Sequence, residues 1–225
     1  MLSFRACCFV LFYIIPVVSL YPQGSILERG QSGFAIGGGY SSNDEISGVG
    51  GGIGYSFNGL LDIGLSYDKF DFKEKLAGYD LTGTSFSPYI AYQVIKPDQP
   101  NKLAFSISAS YETNSFDSEA LDILNWEMEA NALSFGGDLY LKMPINESTF
   151  IQPAAGITYI SAKGTVKDSY GNSETDETTS TVYSAGIRLV FKTSSTMYIH
   201  FRPGVSINKD VTTIGFGAGI IFSTM

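Results

Sequence analysis

Cysteine is almost missing from this 225-residue chain: the two present, Cys7 and Cys8, stand side by side near the N-terminus. Everything downstream is therefore without a disulfide framework or thiol chemistry. Histidine occurs once, at His200, and tryptophan once, at Trp126. Base-assisted nucleophilic catalysis and zinc-type hydrolysis lack their usual parts. Lys and Arg number 14 against 22 Asp and Glu, a net charge of −8. A nucleic-acid partner is excluded, because a phosphate-backbone binder needs basic residues to displace counterions. Few residues are charged at all (16 %), while 25 are Gly, 16 Phe and 14 Tyr. That bias excludes disorder, a coiled coil and a helical bundle.

A long apolar run is also lacking, except at the start. Ala6 to Leu20 is apolar and follows Arg5. At about 15 residues it falls short of the ~20 needed for a spanning helix. Small residues at Val17 and Ser19 precede Leu20, so residues 1–19 read as a Sec signal peptide, cleaved somewhere between 19 and 24. Both cysteines leave with it. Residues 20–32 then form a short N-terminal segment ahead of the main domain, 33–222.

What fills that domain is alternation with period two, in ten segments bounded by turn residues: about 33–41, 48–57, 60–72, 84–95, 102–113, 131–143, 149–161, 181–192, 196–207 and 211–222. One phase is bulky and free of charge, as in Leu61, Ile63, Leu65 and Tyr67, or Ile214, Phe216, Ala218, Ile220 and Phe222. The other is small or polar, as in Gly48, Gly50, Gly52 and Gly54. A lipocalin-type barrel or a secreted β-sandwich has the same period with the apolar phase inward. Their water-facing side carries Lys, Glu and Thr; here that side is Gly, Ser and Ala, which suits a crowded interior. The bulky phase is therefore assigned to lipid. The fold expected is all-β, a closed antiparallel up-and-down transmembrane barrel of about ten strands, with eight as the alternative.

The connections agree. Asn58-Gly59, Lys96–Asn101, Pro144–Ser148 and Thr193–Ser195 are short, whereas 73–83, 114–130 and 162–180 are long and acidic. Short turns at one rim and long loops at the other is the outer-membrane pattern. Phe57, Phe191 and Phe222 bunch near the short-turn rim; Tyr40, Tyr67, Phe86, Tyr111, Tyr159 and Tyr183 near the other, as interfacial girdles do. A three-residue loop, Phe57-Asn58-Gly59, pairing Ser56 with Leu60, keeps Asp62 off the lipid face, where a charge costs ~2–4 kcal/mol. Pro88, Pro153 and Pro203 each remove a ladder donor and predict bulges.

This strand-turn rhythm, with its closing strand Thr213 to Phe222, resembles the small bacterial outer-membrane β-barrel proteins of the OmpA/OmpX and opacity-protein type, within the porin-like superfamily. The resemblance covers about 30–222. It implies a Gram-negative outer membrane, contact with its lipid and lipopolysaccharide, and recognition of the last strand by the barrel assembly machinery. Phe222 fits that signal, although Ser223-Thr224-Met225 extend past it.

Inside, glycine-rich faces of strands one, two and ten oppose Asp138, Tyr140 and Lys142. The single inward charges predict a lumen cluster of Asp62, Asp138, Lys142, Arg188 and Arg202, with His200 beside it. That cluster reads as a structural network, or else as the constriction of a pore. Outer-membrane acylhydrolases resemble one another in a His-x-Ser pair; here His200-Phe201-Arg202 places arginine where the serine belongs. The chain is assigned no enzymatic activity, no cofactor and no catalytic residue. In the 114–130 connection, Leu121, Leu124, Trp126 and Met128 form a candidate surface contact. Asp168, Asn172, Glu174, Asp176 and Glu177 lack EF-hand spacing and read as solvated acids, so no metal is assigned. The function expected is a structural or interaction role at the cell surface: envelope integrity, adhesion or membership of an envelope complex. The alternative is a narrow passive pore for small solutes.

Overall fold

A computed structural model describes residues 23–96, 103–209 and 211–224. The expected signal peptide, and most of the Lys96–Asn101 turn, lie outside the described residues. A 3-10 turn, Gln23–Ser25, precedes the strands β1 (Ser32–Ser42), β2 (Ile46–Phe57), β3 (Leu61–Phe72), β4 (Thr82–Ile95) and β5 (Leu103–Asp117). Helix α1 (Glu119–Leu124) leads into β6 (Trp126–Leu141) and the short β7 (Met143–Asn146). Then come β8 (Thr149–Asp168), β9 (Ser173–Lys192), β10 (Met197–Asn208) and β11 (Val211–Thr224).

All pairings are antiparallel between neighbours, β1 pairs with β11, and β6 pairs with β8, which closes the sheet. β7 resumes β6 after Lys142: Tyr140 opposite Ala154 and Met143 opposite Ile151 belong to one register. The barrel thus has ten staves. Closure leaves no free sheet edge, the only way a sheet satisfies its backbone without water.

Sidedness follows the alternation. Ile53, Leu65 and Ile157 are 44 %, 40 % and 49 % exposed on the outside, whereas Asp62, Ser66 and Ser106 are buried within. Tyr40 pairs with Phe216 and Tyr67 with Phe86, so aromatic residues of neighbouring staves stand side by side at the long-hairpin rim.

Three local expectations are corrected. The first hairpin pairs Phe57 with Leu61 and Ser56 with Asp62, so its three loop residues are Asn58, Gly59 and Leu60. Asn58 and Gly59 both have positive φ (53° and 63°), and Leu60 N–H closes the turn on the Phe57 carbonyl. The loop slides one residue along, and Asp62 still faces inward. The prolines do not make bulges. Around Pro88 the β4–β5 ladder skips from Phe86–Thr113 to Tyr89–Ser110, and around Pro203 the β9–β10 ladder skips from Phe201–Leu189 to Gly204–Gly186, both without register change. Pro153 stands opposite the break between β6 and β7. A one-residue slip would turn every following side chain to the wrong face, so a missing bond is cheaper than a bulge. Register shifts occur instead near the short-turn rim, at Gln93/Ile95 and Pro144/Asn146.

Two of the three long connections are not loops. β5, β6, β8 and β9 continue through 114–130 and 162–180, leaving only α1 and a tight turn at 169–172, whereas 73–81 stays a loop, pinned by the Leu76–Tyr79 bridge. Ser118 caps α1, accepting from Ala120 N–H, and Asn125 ends it in the left-handed conformation. The glycine-rich inner faces of β1, β2 and β11 lie side by side as expected, Gly37 opposite Gly219 and Gly52, and Gly39 opposite Gly217 and Gly50, across the barrel from β6 with Asp138 and Tyr140. Some inner glycines also make room for a lateral neighbour: a Cβ on Gly50 would overlap the Asp68 carboxylate, and one on Gly156 that of Asp138.

Candidate functional site

The chain's own N-terminal segment enters the barrel at the short-turn rim. Gly24 N–H donates to both carboxylate oxygens of Asp62, at 3.0 Å each. Lys96 Nζ donates to the carbonyls of Gly24 (2.9 Å) and Gly59 (2.7 Å). Burial, and then the nearby Lys142, push the Lys96 ammonium down to about 8. Gln152 Nε2 donates to the Ser25 carbonyl at 2.6 Å, and Arg188 Nη1 donates to the Ser25 hydroxyl at 2.6 Å and to Gln152 Oε1 at 3.2 Å. Behind these contacts, Ile26 and Leu27 are fully buried against Ala35, Phe150, Val190, Tyr198 and Ile221. Polar groups grip the backbone of 24–25 while two aliphatic side chains seal the mouth.

Above this stopper, Ser25, Asp138, Tyr140, Gln152, Arg188 and Arg202 surround a cavity of about 20 Å³. That is room for a single water. Tyr140 O–H donates to Gln93 Oε1 at 2.5 Å across the same level. Asp62 lies in the electrostatic field of Lys96 and Arg188, and Asp138 in that of Arg202 and Arg188. Four of the residues read from the sequence as a lumen cluster thus share one neighbourhood. Lys142 sits apart at the rim, its Nζ 4.4 Å from the centre of the Phe150 ring. His200 points inward against Gly219.

Sequence reasoning missed Gly24, Ser25, Ile26, Leu27, Lys96 and Gln152. The available signal was an isolated Ile-Leu pair just before the first strand, together with two glutamines, Gln93 and Gln152, in a phase dominated by small residues and single charges.

The opposite end is closed by a second cluster. Leu76, Leu81, Ala120, Leu121, Met128, Ala130 and Val166 are buried together, with Phe72, Phe116 and Trp126 packed against them. The candidate surface contact is therefore divided. Leu121 and Met128 are buried (3 % each) and Trp126 is half-covered, whereas Leu124 is exposed along with Ile123. The acids of the last long hairpin also part company. Asp168 Oδ1 accepts from Tyr170 N–H (2.9 Å) and Asn172 N–H (2.8 Å), while Glu177 pairs with Lys163 at 3.6 Å.

No curated protein matches the sequence. Among solved structures, the chain is similar to the translocator domain of autotransporter NalP from Neisseria meningitidis, with a TM-score of 0.56, 10 % identity, and 87 % of this chain and 89 % of that one covered. It is also similar to the outer membrane protease OmpT from Escherichia coli (TM-score 0.43, 7 % identity, 86 % and 96 % covered). The attachment invasion locus protein Ail of Yersinia pestis matches with a TM-score of 0.33, 17 % identity, and 88 % and 100 % covered. At these identities the first likeness concerns the fold alone. A model of the outer membrane protein beta-barrel domain matches residues 90–222. With the closed ten-stave barrel and its outward apolar rows, that match places the chain in the outer-membrane β-barrel family.

Proposed function

We propose that this protein is a closed, non-conducting barrel of the bacterial outer membrane, with a structural or contact role at the cell surface and no enzymatic activity. The observation that carries this reading is that the lumen is stopped twice. Ile26 and Leu27 fill one mouth, and the Leu76–Leu81–Leu121 cluster fills the other. A solute path needs a wetted bore, and both stoppers are apolar and packed.

What remains available for work is the outer surface. β8 runs nine residues past Tyr159 and β9 begins ten residues before Tyr183, roughly 30 Å at the rise of a strand. Their tip carries Tyr170, 90 % exposed, and the α1 hairpin carries the exposed Ile123 and Leu124. Envelope integrity, adhesion and membership of an envelope complex all use such projections. The apolar belt contacts lipid and lipopolysaccharide, and β11, which ends on Phe222-Ser223-Thr224, serves the barrel assembly machinery.

Planar-bilayer recording tests the reading. The purified mature chain inserts without producing ion current. A steady current from the unmodified chain overturns the proposal in favour of a narrow passive pore.

A further inference from the structure

Directly beneath the outer apolar stopper, the lumen holds two acidic side chains with no basic partner. Asp68 on β3 is 3 % exposed and Glu112 on β5 is 6 % exposed. Asp68 lies opposite Ser85, which lies opposite Asn114, and Glu112 is two residues from Asn114 on the same face. The Asp68 charge acts on Glu112, and no described Lys or Arg acts on either one. The neighbouring Lys69 faces outward with Tyr67.

Two further oxygens point to a ligand. Asp68 takes a hydroxyl hydrogen bond on Oδ2, from Ser85 at 3.4 Å, but its buried Oδ1 accepts none. Asn114, fully buried, leaves both its side-chain oxygen and its side-chain nitrogen without a hydrogen-bond partner. A buried amide oxygen left without a donor is costly, and so is a pair of like charges in a dry interior. One hard cation relieves both at once. Gly50 supports the arrangement, since its missing Cβ leaves the space that the Asp68 carboxylate occupies. The apolar roof of Phe70 and Phe116, with ring centres 6.0 Å apart, shields the group from bulk water.

From this geometry we infer that Asp68, Glu112 and Asn114, with the Ser85 hydroxyl, form a binding site for a hard divalent cation of the calcium class inside the extracellular end of the barrel. The donors are all oxygens, which select Ca²⁺ or Mg²⁺ over zinc or copper. With only two carboxylates the affinity belongs in the weak range, about 10⁻⁴ to 10⁻³ M. The site is separate from the N-terminal stopper and does not depend on whether the barrel conducts.

Equilibrium dialysis of the chelator-treated, full-length mature protein against radioactive Ca²⁺ is the direct test, with thermal unfolding followed in parallel. The wild type binds one Ca²⁺ saturably and unfolds at a higher temperature in its presence. The isosteric double variant Asp68→Asn/Glu112→Gln loses at least about tenfold in affinity and unfolds at a temperature independent of Ca²⁺. Absence of saturable binding to the wild type overturns the inference whether or not the variant folds. So does a wild type that gains stability on acidification but not on adding Ca²⁺, because the pair then holds a proton instead of a metal.

Discussion

Asp62, on the second residue of β3, accepts one backbone N–H, that of Gly24, on both of its carboxylate oxygens at 3.0 Å. A group placed to hold a residue 38 positions earlier links the N-terminal segment to the barrel wall. The same carboxylate occupies the register position that an outward turn of β3 would have exposed to lipid. One inward charge therefore answers both for the hairpin register and for closure of the mouth.

Replacing Asp62 by Ala leaves Gly24 N–H buried without an acceptor and withdraws the counter-charge from Lys96. The expected cost is ~1–3 kcal/mol of stability. The N-terminal segment should also come loose, which limited proteolysis reads as new cleavage between residues 20 and 31, with the barrel staves left intact.

The glycines of the inner face separate into two kinds. A Cβ at Gly83 would meet the Phe70 ring at 2.3 Å, whereas one at Gly215 has its nearest neighbour at an ordinary 3.6 Å. Gly83→Ala should destabilise the barrel by ~1–3 kcal/mol through overpacking against a ring that is itself wedged beside Phe72 and Phe116. Gly215→Ala should lie within ~0.5 kcal/mol of wild type. Unfolding of the two variants in detergent, monitored by heat-dependent mobility on gels, checks the contrast.

The tip of the β8–β9 hairpin has a pH dependence. The Asn172 side-chain amide, and then the backbone N–H groups around the turn, hold the Asp168 carboxyl below its ordinary value. A carboxyl with a lowered folded value stabilises the turn above the unfolded value of about 4 and loses that contribution as pH falls through the folded one. Amide exchange at Tyr170 and Asn172 should therefore remain slow at neutral pH and show a loss of protection only in acid. In Asp168→Ala the protection should be lost at every pH. An unchanged profile in that variant contradicts the assignment.

The staves were legible in the sequence because lipid enforces a strict period of two: Leu61, Ile63, Leu65 and Tyr67 face outward together. The same signal disappears above the tyrosine belt. In Ser173–Thr181 both faces of β9 meet water, so the run Glu174-Thr175-Asp176-Glu177 carries no alternation and reads as a loop although it is paired. The lumen was legible only in part. Inward charges stand out against Gly and Ser, which is how Asp62, Asp138, Arg188 and Arg202 were found. The partners of Asp62 and Arg188 include the backbone N–H of Gly24 and the short side chain of Ser25, and such groups carry no compositional mark. Leu121 and Met128 looked like a surface patch because an apolar cluster inside a polar connection has the same composition whether it turns outward or folds in as a stopper.

The central claim is the sidedness of the staves, and adjacent residues on one strand test it. A nitroxide label at Leu65→Cys in the reconstituted, signal-free chain should be strongly accessible to oxygen and shielded from a water-soluble nickel reagent. A label at Ser66→Cys should be shielded from both, enclosed in the packed interior. If the label at Leu65 is instead shielded from oxygen and immobilised, while the one at Ser66 meets lipid, the assignment of faces is reversed and the account is contradicted.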